Sequence, residues 1–319
     1  MTNLLVFREQ LKKFYSKYEI YLTPVFKFLL ALVTLVMINS SIGYMSELKK
    51  ITVVFVLSLM CSFLPMNFIV LVAAAVTLGH LYKFSMECAL VALVVFLLLF
   101  ILYFRFASKD TVAVLLTPLC FILKIPYVMP LTMGLVGTPA SAVSVAGGAV
   151  IYYSVSYMTG SASMLNTFED DGALEKFRYV IDGILGNKAM YVTLVAFVAT
   201  VVVVYFVRRL SVDYAWTIAM VTGALLDVLI MLFGDLIYNT NLSIIGLIVG
   251  SVVSVALAKV LEFFVFNVDY SRTEYVQFED DEYYYYVKAV PKNTVAAPQK
   301  RVKTIRVPEK AVREQKRDR

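Results

Sequence analysis

The chain consists mainly of long apolar runs separated by short polar or charged segments. Six runs have about the 20 residues that a helix needs to cross the hydrocarbon core of a bilayer. The pattern predicts an all-α polytopic membrane protein, because barrel strands would give short segments of alternating hydrophobicity instead. The six predicted full spans are 25–44, 88–104, 140–157, 190–207, 214–235 and 242–264.

Two further regions contain apolar runs that are too short for an ordinary crossing. In the first, Pro65 separates the runs 51–64 and 67–81; the second is 111–139, which is rich in proline and glycine. Proline removes a backbone donor, and every freed backbone group in hydrocarbon needs a protein or water partner. Each region therefore predicts a broken pair of short helices buried among others. If every short helix crosses fully, the chain has ten spans rather than six.

Each broken pair precedes one longer segment, so 51–105 and 110–158 have the arrangement of an inverted repeat. Three residues of the first unit match three of the second at a constant offset: Ser58, Cys61 and Leu64 against Thr117, Cys120 and Leu123. Broken helices in inverted repeats are typical of binding sites in secondary transporters. The alternative is a kinked, tightly packed pair without a ligand.

The predicted substrate or ion site combines Asp227 with breakers of the second region, namely Pro126, Pro130, Gly134 and Gly137. Asp227 lies near the middle of a span, where ionisable side chains are costly and usually face the bundle interior or water. It shares a helix face with small residues at four-residue steps, which are Ala215, Ala219 and Gly223. A proton or sodium site is one interpretation, and an interhelical hydrogen bond to a serine or threonine is the other.

Neither enzyme chemistry nor a metal or cofactor site is predicted. His80, expected near an interface, is the single histidine, and the three cysteines lie in apolar stretches without metal-ligand spacing. Nucleotide-binding, metalloprotease and hydrolase motifs are missing from the sequence. Near the end of the last span, Lys259 and Glu262 are one turn apart and predict an ordinary interfacial ion pair.

The charges predict the topology and the lipid contacts. Residues 1–23 form a basic amphipathic pattern, which suits a helix among anionic lipid headgroups or packed on a partner helix. The transmembrane helical domain follows at 24–266. Positive charges before the first span and Arg208–Arg209 after a later one place both termini in the cytoplasm, with Lys49 and Lys50 as the exception. Residues 159–188 predict a polar connection on the outer surface containing an amphipathic helix that stops at Gly186.

After the last span, β-branched and aromatic residues flank four acidic residues, Glu279 to Glu282, within 267–290. This pattern predicts a small cytoplasmic β-hairpin that docks on this protein or adds a strand to a protein partner. Residues 291–319 hold ten basic and three acidic residues, a balance of +7 that exceeds the +6 of the whole chain. Such a segment is typical of a disordered tail drawn to anionic lipid. Nucleic-acid binding is disfavoured, because no aromatic stacking platform accompanies the charges.

The stretch DYSRTEYVQFEDDEYYYYVKAVPK, residues 269–292, resembles the membrane-proximal tail of an uncharacterised family of multi-pass membrane proteins from Gram-positive anaerobes. The resemblance implies a bacterial cytoplasmic membrane and leaves the substrate open. The sequence thus predicts a multi-pass membrane protein that acts as a secondary transporter or channel-like protein, with its binding region at the broken helices. The alternative is a membrane scaffold or assembly subunit that recruits a partner through its tail.

Overall fold

The computed structural model describes residues 2–165, 173–240, 242–265, 274–279 and 284–289. The chain divides into two compact units, residues 14–266 and residues 1–13 together with 267–319. The described residues form thirteen helices and two strands: α1 (Thr2–Ser41), α2 (Ser46–Lys49), α3 (Ile51–Phe63), α4 (Asn67–Phe84), α5 (Met86–Phe106), α6 (Thr111–Ile122), α7 (Val128–Val136), α8 (Ser141–Gly160), α9 (Ala162–Leu165), α10 (Ala173–Leu185), α11 (Lys188–Val207), α12 (Ala215–Tyr238), α13 (Ile244–Val265), β1 (Glu274–Glu279) and β2 (Tyr284–Ala289).

Among the described residues, six helices are long and apolar enough to cross a membrane: α1 from Gln10, α4, α5, α11, α12 and α13. This confirms the predicted class of all-α polytopic membrane protein. Five of the six coincide with predicted spans. The sixth is α4, which continues to Phe84 and reaches 18 residues. The segment predicted at 140–157 forms α8, which has 20 residues but interrupts its apolar pattern with glycine, serine and tyrosine.

The first broken pair, α3 and α4, runs from one end of the bundle to the other and back. Lys27 Nζ donates to the carbonyl oxygen of Leu64 at 3.1 Å, and Asn39 Nδ2 donates to that of Leu48 at 2.9 Å. Because residue 27 lies beside the end of α3 and residue 39 beside its start, α3 runs antiparallel to α1. The chain then returns through α4, which brings His80 back to Asn39 with 2.6 Å between Nε2 and Oδ1.

The second broken pair, α6 and α7, begins and ends at the same end of the bundle. Phe121 stacks on Tyr152 at 4.4 Å between ring centroids, and a Cβ at Gly148 would lie 2.6 Å from Thr117 Cβ. Thr117 and Phe121 thus face residues of α8 that are likewise four positions apart in the same order, so α6 runs parallel to α8. The start of α6 is therefore level with the start of α8.

The return of α7 to that end is fixed by α11. Arg208 Nη2, directly after α11, donates to the carbonyl oxygen of Gly137, directly after α7 and four residues before α8, at 2.8 Å. Tyr153 Oη, in the second half of α8, lies 2.9 Å from Thr193 Oγ1, in the first half of α11. Together these contacts show that α8 runs antiparallel to α11 and begins near its end. The 12 residues of α6 and the nine of α7 extend about 18 and 14 Å, well short of the ~30 Å core. The pair is therefore a re-entrant hairpin whose tip lies inside the bundle.

We call the two extremities the Arg208 end, with Thr111, Gly137 and Arg208, and the His80 end, with Asn39 and His80. Asn67, at the start of α4, belongs to the Arg208 end, because its Oδ1 accepts from Tyr103 Oη at 2.9 Å and from Thr111. The α3–α4 pair thus begins and ends at the His80 end and reaches the Arg208 end, whereas the α6–α7 pair begins and ends at the Arg208 end and is re-entrant. The two pairs therefore enter the bundle from opposite ends, as an inverted arrangement requires, and the repeat itself stays a prediction.

The predicted amphipathic helix between α8 and α11 is α10. Val180 and Ile184 are buried in a cluster with residues of α4, α5 and α8. Gly186 ends the helix as predicted, with its N–H bound to the carbonyl oxygen of Asp182 at 2.7 Å. The acidic residues 169–171 that were expected to precede the helix lie outside the described residues.

In the second unit, β1 and β2 pair antiparallel from Glu274 opposite Ala289 to Glu279 opposite Tyr284. The predicted hairpin is present, and Glu279 belongs to its first strand rather than to the connection. The remaining connection, 280–283, lies outside the described residues, as does the basic tail 291–319.

Candidate functional site

The candidate site is built around Asp227, near the middle of α12. The residues one and two turns before it, Gly223 and Ala219, are buried with it, and Asp227 itself is only 1% exposed. A Cβ at Gly223 would lie 2.2 Å from Val204 Cγ2 of α11 and 2.9 Å from Leu131 Cδ2 of α7. The small residue therefore lets three helices approach closely one turn from the carboxylate. The predicted small-residue face is thus the packing face of α12.

The carboxylate of Asp227 has polar neighbours but no hydrogen bond. The hydroxyl of Thr200 on α11 and the phenol of Tyr127 at the start of α7 are close enough to interact with it electrostatically. Both carboxylate oxygens are buried and lack a hydrogen-bond partner among the described residues, and Thr200 Oγ1 is equally unsatisfied. Native structures rarely leave buried polar atoms unpaired, so each such atom needs an explanation. Thr200 supplies the neighbouring hydroxyl that the alternative interpretation of Asp227 requires, so both interpretations stay predictions.

The tip of the re-entrant hairpin supplies Tyr127. Two residues after α6, Lys124 has a left-handed φ of +62°, and the N–H of Ile125 donates back to Cys120 O at 2.9 Å. Pro126 lies in the following turn, where Met129 N donates to its carbonyl at 3.2 Å. Pro130 is the third residue of α7, a position whose N–H would have no partner within the helix. The prolines thus shape the tip and place Tyr127 beside Asp227.

Of the two predicted glycines, neither belongs to the immediate site. Gly134 packs on α11, where a Cβ would lie 2.7 Å from Val204 Cβ and 3.2 Å from Val201 O. Gly137 lies beside Arg208, which is about 12 Å along α11 from Thr200. The glycines therefore serve close packing and the exit of α7. Asp227, Tyr127 and Thr200 form the site, with Pro126 and Pro130 shaping the tip.

Thr200 and Tyr127 were not singled out by the sequence. Thr200 is a hydroxyl within an apolar run, and most such hydroxyls bond to a carbonyl four residues earlier, as Thr193 does to Ala189 at 2.8 Å. Tyr127 follows a proline directly, and that is the one signal that places it at a break.

The other predicted polar groups do not join the site. Lys259 Nζ lies 2.6 Å from Glu262 Oε2, which confirms their pairing, and it also donates to Thr217 Oγ1 at 2.8 Å. His80 is fully buried within the protein, at one end of the bundle. Its Nδ1 accepts from Met45 N at 3.0 Å, so its Nε2 carries the proton that Asn39 Oδ1 accepts. His80 is thus a neutral structural residue.

The described residues contain no group of three histidine, cysteine or acidic side chains that would hold a metal ion. The chain matches no protein-family model, no curated protein and no solved structure. Fold and composition define the class, a multi-pass integral membrane protein with six long apolar helices. Anything more specific depends on the chemistry of Asp227 and of the re-entrant hairpin.

Proposed function

We propose that the protein is a proton-coupled secondary transporter, in which Asp227 binds and releases the coupling proton. One observation carries the proposal: a carboxylate that is 1% exposed, without a hydrogen bond, beside the tip of a re-entrant hairpin. Ionisable groups inside membranes are functional by default, and broken helices near the midplane are typical of transporter sites. This extends the transport prediction from the sequence.

The donor set favours a proton over a metal cation. Hard cations take six or more oxygen ligands, whereas Asp227 has one hydroxyl and one phenol nearby. A proton needs only the carboxylate itself. When the proton leaves, a negative charge remains in an apolar setting, which is expensive without a partner. Loss of the proton therefore favours a packing in which the carboxylate meets water or a donor.

The α6–α7 hairpin is the element that this charge acts on. Tyr127 belongs to the tip, and Leu131, one turn further along α7, packs against Gly223, one turn from Asp227. A change in the protonation of Asp227 therefore directly affects the packing of α7. Coupled transport requires two arrangements of the helices, and binding of the proton and binding of the transported solute must each shift the equilibrium between them. We assign the movement to the tip, because α6 and α7 do not reach the His80 end.

The orientation belongs to the same proposal. The basic residues at the start of the chain, at Arg208–Arg209 and in 291–319 favour the Arg208 end and both termini in the cytoplasm of a bacterial cell. The re-entrant hairpin would then enter from the cytoplasmic face.

A second role, recruitment of a protein partner, has one observation in its favour. The strand β2 exposes Tyr286 and Val287, at 77% and 44%. Two strands alone are marginal in water, and an exposed edge favours strand addition. Deletion of 267–319 separates this scaffold role from transport, because it removes the strands and leaves Asp227 and α6–α7 in place.

A pH jump on proteoliposomes adsorbed to a solid-supported membrane tests proton binding without a known substrate. The wild-type protein is expected to give a transient current from proton uptake, and Asp227→Asn is expected to lose it. The control is Asp235→Asn on the same helix, because Asp235 already accepts hydrogen bonds from Thr240 Oγ1 at 2.7 Å and Leu242 N at 3.2 Å. A current that survives in Asp227→Asn contradicts the proposal.

A further inference from the structure

A large cavity lies along α6 and α8, and its lining does not include Asp227, Tyr127 or Thr200. It has a volume of about 890 Å³, is partly open, and is lined by residues of α1, α4, α5, α6, α8 and α11. Its lining extends along α8 from Ala142, near the Arg208 end, to Thr159, near the His80 end. At 1.5 Å per helical residue this is about 26 Å, close to the ~30 Å of a hydrocarbon core. The cavity is therefore a groove nearly as long as the membrane is thick.

The walls of the groove are apolar. Aromatic and aliphatic side chains dominate, including Phe96, Phe100 and Ile151. The hydroxyls of Thr34 and Thr77 donate to carbonyls of their own helices at 2.8 Å each. They therefore offer little to a polar solute, and a hydrocarbon chain suits these walls better than a sugar, an amino acid or an ion does.

One charged residue, Lys124, lines the groove, and no acidic residue does. Lys124 is exposed, and its side-chain ammonium forms neither an ion pair nor a hydrogen bond with any part of the chain that the structure describes. It lies at the tip of the re-entrant hairpin, one turn beyond Phe121, and Ser156 lines the same groove one turn beyond Tyr152. A lysine at such depth needs an anion or water.

We propose that this groove binds one anionic bilayer lipid, with its headgroup at Lys124 and an acyl chain along α6 and α8. Between Ser156 and Ala142 the groove extends about 21 Å, which exceeds the ~15 Å of one leaflet and accommodates a whole chain. A partner helix would fill the apolar part but would leave the cation without a counter-ion. The site requires neither Asp227 nor transport, so it goes beyond the proposed function.

Native mass spectrometry of the full chain, titrated with phosphatidylglycerol and phosphatidylcholine of equal chain length, tests the site. The wild-type protein is expected to retain one phosphatidylglycerol about tenfold more tightly, the factor that one charge-assisted contact supplies. Lys124→Gln is expected to abolish this preference and to leave phosphatidylcholine binding unchanged. The control Lys109→Gln removes an exposed cation outside the groove and should keep the preference.

A second pair of variants tests the groove itself. Gly147 lines it, and a Cβ there would have only an ordinary 3.7 Å contact with Leu99 Cδ2, so Gly147→Leu should fill the groove and weaken retention of both lipids. If Gly147→Leu folds poorly, Ala74→Leu on α4 is expected to fill the groove and weaken retention of both lipids in the same way. Equal retention of the two lipids by the wild-type protein, or an unchanged preference in Lys124→Gln, overturns the proposal in favour of bulk lipid.

Discussion

The guanidinium of Arg208, directly after α11, donates a 2.8 Å hydrogen bond to the carbonyl oxygen of Gly137, directly after α7. These residues are 71 positions apart in the chain, and their contact fixes α7 at the Arg208 end. Because α6 also begins at that end, the contact excludes a single crossing by α6–α7, and the 12 and nine residues of the two helices are too few for a pair of crossings, so α6–α7 is a re-entrant hairpin. It also places Tyr127, at the tip, beside Asp227.

Removing this contact should loosen the exit of α7. Arg208→Ala is expected to lower the free energy of unfolding by about 1.5–3 kcal/mol, the range for hydrogen bonds to charged groups. Hydrogen exchange should rise at residues 136–141. Arg209→Ala, which removes a cation over the Tyr205 ring at 4.9 Å, is the matched control. Equal exchange at 136–141 in both variants would show that the Arg208 contact does not hold α7.

The packing of α6 on α8 depends on Gly148. A Cβ there would lie 2.6 Å from Thr117 Cβ and 3.2 Å from Pro118 Cδ, whereas at the neighbouring Gly147 its closest contact is 3.7 Å. Gly148→Ala is therefore expected to lower the free energy of unfolding by about 1–3 kcal/mol through overpacking. Gly147→Ala should be neutral or stabilising by up to ~1 kcal/mol. Thermal unfolding in one detergent checks both, and equal midpoints would contradict the close approach of α6 and α8.

The polar junction at the His80 end should matter for stability. Asn39 Oδ1 lies 2.6 Å from His80 Nε2, and Asn39 Nδ2 donates to Leu48 O at 2.9 Å. Asn39→Ala leaves both partners unsatisfied and should cost about 1–3 kcal/mol for each that stays buried. Ser40→Ala, which removes an exposed hydroxyl bound to Met37 O, is the control and should shift the unfolding midpoint little. Equal shifts of the unfolding midpoint in Asn39→Ala and Ser40→Ala would contradict a stabilising role for the hydrogen bonds of Asn39.

The hydroxyl of Thr200 is expected to affect proton binding at Asp227 but not the stability of the fold. Its hydroxyl is buried, unsatisfied and beside Asp227, so Thr200→Val preserves the shape and removes one dipole. The pH-jump current is expected to fall by up to about tenfold, while the unfolding temperature stays unchanged. Thr222→Val on α12, whose hydroxyl bonds to Ile218 O at 2.8 Å, should leave the current intact. A current unaffected by Thr200→Val would remove Thr200 from the site.

The sequence predicts the features that depend on a local pattern of residues. A charge within an apolar run identified Asp227, and the clustered prolines identified the break between α6 and α7. What it missed depends on tertiary contacts. Met45 and Asn39 satisfy both ring nitrogens of His80, and these contacts of residues far apart in the chain let the histidine be buried within the protein.

The two broken pairs differ in a way that the breakers do not encode. Their first helices are similar, with 13 residues in α3 and 12 in α6. Their second helices are not, because α4 has 18 residues and α7 has nine. Pro65 and Pro126 give the same local signal, but α4 continues for three residues beyond its predicted end. The 18 residues of α4 take the first pair to the opposite end of the bundle, whereas the nine residues of α7 leave the second pair re-entrant.

The proton site exists only if α6–α7 is re-entrant, and cysteine accessibility measures this directly. In a variant without Cys61, Cys88 and Cys120, single cysteines replace Lys109 before α6, Lys124 at the tip of the hairpin and Thr138 after α7, all of which are exposed. An impermeant maleimide is expected to label residues 109 and 138 from the same side of the membrane, and residue 124 is expected not to react from the opposite side. Labelling of residue 124 from the side opposite to residues 109 and 138 would show that α6 and α7 are two full crossings, and would contradict the proposed site.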